Sequence, residues 1–123
     1  MSVTEEEHDA ARAVARLSAL LKEYTKKLRD LSTQVRELQD RYAEAKSLEE
    51  QRAIKRAEAD FNGIRFGYFR LFSAANDLAR QASQLVEHGK LEIVARLELS
   101  LRAAEFEIAL QEAQQRVNAG PEF

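Results

Sequence analysis

Glu5 and His8 stand three residues apart, a spacing at which a carboxylate and an imidazole share one helix face and can serve a di-iron carboxylate centre. Such a centre needs the motif twice, plus two further carboxylates in the core. Here it occurs once, in the first turn of a helix, and the other histidine, His88, precedes Gly89. A solvated N-terminal turn is the simpler reading of the pair. The chain has no His-Glu-x-x-His, no Walker-type glycine loop and no Gly-x-Ser-x-Gly, so the common hydrolytic and phosphate-binding signatures are missing. No Ser/His/Asp set is suggested by spacing. The acidic residues are expected on solvated faces, where no group has an evident cause for a shifted pKa. With no cysteine, thiol catalysis, disulfides and zinc–thiolate sites are excluded. The chemistry expected is therefore binding: no catalytic residue, no cofactor and no metal.

The stretch from Phe61 to Phe72 concentrates the binding potential. It holds Phe61, Phe66, Tyr68, Phe69 and Phe72, five of the nine aromatic residues, with Gly63 and Gly67 between them. Arg65 and Arg70 interleave with the rings, and Arg52, Lys55 and Arg56 lie just upstream. Rings with basic flanks suit single-stranded nucleic acid or an anionic lipid surface. The preferred reading is arginine stems lying over a packed aromatic face with their heads in water. Charge supports that choice. Residues 1–46 carry nine acids and nine bases, residues 47–89 six and six, and residues 90–123 six and four. No segment has the excess of Lys and Arg that neutralising a phosphate backbone requires, so nucleic acid is not an expected partner.

The elements that must hold these residues read as helices. In 123 residues, 45% apolar and 33% charged, with four Gly and one Pro, one domain of long helices is expected. Helix 1 is expected over about 4–45. Thr4 to Glu7 forms a capping box, and the apolar residues Val14, Leu17, Leu21, Tyr24, Leu28, Leu31, Val35, Leu38, Tyr42 and Ala45 step by threes and fours as a coiled-coil seam. Its heptad phase fails at Glu49 and Arg52, and Ser47 to Glu50 reads as a second capping box, so a tight turn is placed at 45–48. The competing reading is one helix running on to Asn62-Gly63. Helix 2 is expected over about 48–88, because Ile54, Ala57, Phe61, Ile64, Tyr68, Leu71, Ala75, Leu78, Ala82 and Leu85 run unbroken through that pair. Gly89 suits the left-handed position after a helix end. Helix 3 is expected over about 91–118, stopped by Gly120-Pro121. The tail at 119–123 has the form of residues left by cloning, and on that reading the natural chain is longer. The fold class expected is all-α, a three-helix antiparallel bundle with long coiled-coil-like helices.

Helix 3 has more apolar perimeter than one buried stripe needs. At ~100° per residue, Val94, Leu97, Leu101, Ala104 and Ile108 fall on one side, and Leu99, Ala103, Phe106, Leu110, Ala113 and Val117 on nearly the opposite side. A helix apolar on opposed faces has to be covered twice. In helix 2, Phe66, Phe69 and Phe72 likewise swing away from the heptad stripe. The turn at Gly89 brings Phe69 level with Ile108 to Leu110, so the two surplus faces are expected to form one continuous patch that pairs with another molecule. The competing reading is that the aromatics fill a wider core where the three helices meet, with Gly63 and Gly67 letting backbones come close. The seam of helix 1 is expected to be too long for helix 3 to cover, leaving part of it for another copy or for water.

These surfaces imply a partner-binding set of Phe66, Phe69, Phe72, Phe106, Leu110, Ala113 and Val117. The function expected is a non-enzymatic protein-interaction module (adaptor, scaffold or chaperone-like) that forms a homodimer or higher homo-oligomer and binds a protein partner. The alternative is a helical protein resting on a membrane or lipid surface. The acidic start, MSVTEEEHD, has no apolar stretch of the kind a secretory signal carries, and the cytoplasm is the expected location.

Overall fold

The computed structural model describes the backbone of residues 2–119, and the side chains within that span other than those of residues 2–7, 10, 83, 118 and 119. The Thr4–Glu7 side chains of the first capping box and the 120–123 part of the tail lie outside the described residues. The fold is all-α. Among the described residues the helices are α1 (Ser2–Glu44), α2 (Leu48–Glu87) and α3 (Leu91–Ala119). Thr4 is already inside α1, since nothing in Ser2 or Val3 breaks a helix, so it does not occupy the capping position read from the sequence.

Residues 45–47 connect α1 to α2. Ser47 takes an extended conformation, and its side chain accepts a hydrogen bond from the Glu50 N–H at 3.1 Å, satisfying one of the free donors of the first turn. α2 then passes through Asn62 and Gly63 without a break. It ends at His88 and Gly89, where Gly89 has φ +69°. The Lys90 N–H reaches the Leu85 carbonyl at 2.7 Å and the Gly89 N–H reaches that of Val86 at 3.0 Å. This is a Schellman ending, and its left-handed residue is least strained as glycine. α3 starts two residues later.

Side-chain pairs set the directions. Arg65 on Ser32 and Gln39 on Glu58 show α1 and α2 running in opposite senses. Arg16 with Glu98, Tyr24 with Glu105 and Lys27 with Glu112 show α1 and α3 running the same way. The core follows the heptad stripes. Ile54, Ala57, Phe61, Ile64, Tyr68, Leu71, Ala75, Leu78 and Ala82 of α2 are all buried, and Val86 closes the stripe while Leu85 is half-buried. On α1, Leu17, Tyr24, Leu31, Val35 and Leu38 are buried, joined by Ala13 and Leu20, which are fully enclosed. Val14, Leu21, Leu28 and Tyr42 sit at its edge. Each large side chain removed from water here contributes roughly 1.5–3 kcal/mol.

The α1 seam is therefore covered within one copy, contrary to the length argument. Leu38 is buried, as are Ile54 and Ala57 of the antiparallel α2, so two helices suffice where α3 ends. Leu20 and Ala13 join the stripe because the N-terminal half of α1 faces both α2 and α3, and a helix packed against two neighbours buries a wider arc.

Candidate interaction surface

α3 is held to the hairpin by a polar ladder as well as by apolar burial. Among its described apolar residues only Val94 and Leu101 are buried, with Ala104 and Ile108 half-buried and Leu97 exposed. Along its α1 side runs a glutamate every seven residues: Glu98, Glu105 and Glu112. Arg16 donates to Glu98 through Nε and Nη2 at 2.8 and 3.2 Å, the bidentate geometry that favours Arg–carboxylate pairs. The Tyr24 hydroxyl donates to Glu105 at 3.2 Å, and Arg102 reaches the same carboxylate at 3.2 Å.

Glu112, only 4% exposed, is the deepest rung. Lys27 Nζ donates to both its oxygens at 2.7 and 3.0 Å, the Tyr68 hydroxyl at 3.2 Å and Arg116 Nη2 at 3.0 Å. Arg116 also reaches Gln34 at 3.0 Å and lies over the Phe61 ring. Burial pushes the Glu112 carboxyl up, but the hydrogen bonds and charges of Lys27 and Arg116 outweigh it and hold it below the ordinary carboxylate range. Burial, then the facing carboxylates of Glu105 and Glu112, raises the Tyr24 and Tyr68 phenols well above their usual value. This corrects two expectations. One acidic residue is not on a solvated face, and several groups do have shifted pKa values. The heptad recurrence of Glu98, Glu105 and Glu112 beside the Val94–Leu101–Ile108 stripe was the available signal.

The surplus face of α3 is open. Leu99, Phe106, Leu110 and Val117 are 70%, 64%, 54% and 79% exposed, and Ala103 and Ala113 between them are exposed as well. The stripe covers about 18 residues, about 27 Å of helix. Soluble monomers usually leave large apolar side chains singly on the surface, not aligned like this.

The α2 aromatics are placed differently from the expectation. Phe66 and Phe69 are 62% and 54% exposed, but they line a shallow pocket of about 460 Å³ with Leu28, Ser32, Asn62 and Arg65, on the α1 side of α2. Asn62 Oδ1 is buried there without a hydrogen-bond partner. α3 packs on the other flank of α2, where Ile108 lies so close to Gly67 that a β-carbon at Gly67 would meet its Cδ1 at 3.0 Å. Phe66 and Phe69 therefore do not join the Phe106–Leu110 face in one patch, because the side of α2 on which α3 docks is a matter of handedness that residue levels alone do not decide. Phe72 is half-buried against the core and serves packing. Gly63 has nothing near it and mediates no close approach. Between α2 and α3 lies an apolar groove of about 680 Å³, bordered by Gly67, Leu71, Leu78, Leu97, Leu101 and Ile108, which the residue pattern did not lead us to expect.

Among the described residues no three His, Asp or Glu side chains converge as metal ligands do. His8 is exposed, and the Glu5 side chain lies outside the described residues. No described helix is long and apolar enough to cross a membrane. The class these features define is an all-α, helical-bundle-like protein with one apolar helix face uncovered. Comparison with protein-family models, curated proteins and solved structures gives no match.

Proposed function

We propose that this chain is a non-catalytic protein-interaction module of the adaptor, scaffold or chaperone-like kind. In this reading it is a cytoplasmic three-helix antiparallel bundle with coiled-coil-like packing that self-associates as a homodimer through the outward face of α3. The observation that carries the reading is that stripe: Leu99, Phe106, Leu110 and Val117 aligned on one face, each more than half exposed. Burying such a face against a second copy removes several large side chains from water at about 25 cal/mol per Å². The helix is already formed and docked, so little ordering cost opposes association. Two-fold homo-oligomers are the commonest closed assembly.

Charge favours a protein over a lipid surface. α3 carries five glutamates and three arginines, whereas a helix lying on anionic lipid has a polar face rich in Lys and Arg. The test is Phe106→Asp combined with Leu110→Asp. Both side chains point to solvent, so the doubly substituted chain is expected to stay helical and to have half the wild-type mass by light scattering at micromolar concentration. A wild-type mass that the substitutions leave unchanged would remove the interface. A monomeric wild type that floats with anionic vesicles would replace this reading with the membrane one.

A further inference from the structure

We infer that the two copies pair α3 to α3 in parallel, as a short two-stranded coiled coil in which Arg102 of one copy meets Glu107 of the other; this rests on the self-association reading above. The outward stripe steps 4-3-4-3-4 from Leu99 to Val117, placing Ala103, Leu110 and Val117 at heptad a positions and Leu99, Phe106 and Ala113 at d. Side-chain size does not choose a direction. The order large, small, large, large, small, large reads the same both ways, so the two alanine layers face each other whether the helices run parallel or antiparallel.

The flanking charges do choose. Arg102 and Arg116 occupy g positions and Glu107 an e position. In a parallel pair, g of one helix faces the following e of its partner, which sets Arg102 against the partner's Glu107 twice per dimer. In an antiparallel pair centred on the stripe, g faces g and e faces e. Arg102 would then oppose the partner's Arg116 and the two Glu107 carboxylates would meet at the axis, so each of these charges would face its like. Glu107 is exposed. Arg102 is half exposed and uses one nitrogen on Glu105 and Glu23, leaving the rest of its five-donor guanidinium for the partner. α1 and α2 both lie against the inward face of α3, so neither obstructs a second copy approaching from outside.

The absence of cysteine makes the direction directly readable in the full chain. Ala103→Cys and Ala113→Cys each place a thiol in a layer where facing backbones come close enough for a disulfide. In parallel, each variant crosslinks with itself under mild oxidation, and mixing the two adds no faster product. Rapid crosslinking only between the two different variants would show the antiparallel pair and overturn the inference while leaving self-association intact. A dimeric mass with no crosslink at either position would place the interface off α3, with the same consequence. A monomeric mass with no crosslink would remove the self-association reading as well. Glu107→Arg supplies the charge test: it should weaken the dimer on the order of tenfold, and Arg102→Glu added to it should restore most of that loss. Unaltered dimerisation in the Glu107→Arg variant would also count against the parallel pair.

Discussion

Glu112 is the buried charged side chain among the described residues. Its carboxylate is buried, takes hydrogen bonds from Lys27, Tyr68 and Arg116, and is held below its ordinary pKa. A carboxylate whose pKa is depressed in the fold stabilises that fold above its unfolded pKa, about 4.3, and the contribution is lost as pH falls through the folded value. Glu112→Gln keeps an acceptor for Tyr68 but removes the charge, and should cost about 1–2 kcal/mol at pH 7. The gap between wild type and variant should close as thermal unfolding is repeated toward pH values of about 3; a gap constant across that range would mean that the charge does not stabilise the fold. Tyr24 and Tyr68 act at the other extreme. Their phenols are raised above the ordinary value, so the stability they lend is whole below about pH 10 and is lost as pH rises beyond it. Gly63 makes a simpler prediction. It sits inside α2, and a β-carbon added there would have nothing within 4 Å of it, so Gly63→Ala should stabilise by roughly 0.5–1 kcal/mol in urea unfolding. A loss of stability would reveal a packing role that the geometry lacks.

At the scale of elements, α1 and α2 form the stable hairpin and α3 is the lighter attachment. Among the described residues the hairpin holds every fully buried large side chain except Val94, while α3 adds to its few buried apolar residues the pairs Arg16–Glu98 and Tyr24–Glu105 and the Glu112 cluster. Local opening follows the density of apolar burial, so the amides of α3 should exchange with deuterium faster than those in the centres of α1 and α2. Equal protection in all three would show that the ladder binds α3 as firmly as packing does. The same contrast explains what could be read from the residues in advance. The α2 stripe was legible because one heptad phase runs from Ile54 to Ala82, and the turn at Ser47 because a cap has a local signature. Leu20 and Ala13 were not, since a wider buried arc depends on where a third helix lies. The burial of Glu112 was hidden for a related reason: a glutamate next to an apolar stripe looks the same whether it faces water or Lys27.

For the whole molecule the decisive feature is the side of α3 turned away from its own core. Its apolar character was visible on a helical wheel, and the structure leaves Leu99, Phe106, Leu110 and Val117 open. The link to Phe66 and Phe69 failed, because which flank of α2 receives α3 is a handedness, and hydrophobic spacing carries none. The two α2 rings instead face the α1 side beside Leu28, as a separate and smaller surface. The proposed dimer therefore depends on α3 alone. Light scattering on the wild-type chain at tens of micromolar is the most direct measurement of that dependence. The expected mass is twice the 14.0 kDa of one chain, falling to the single-chain value when Phe106→Asp and Leu110→Asp are introduced together; a wild-type chain that stays at the single-chain mass would rule out the dimer.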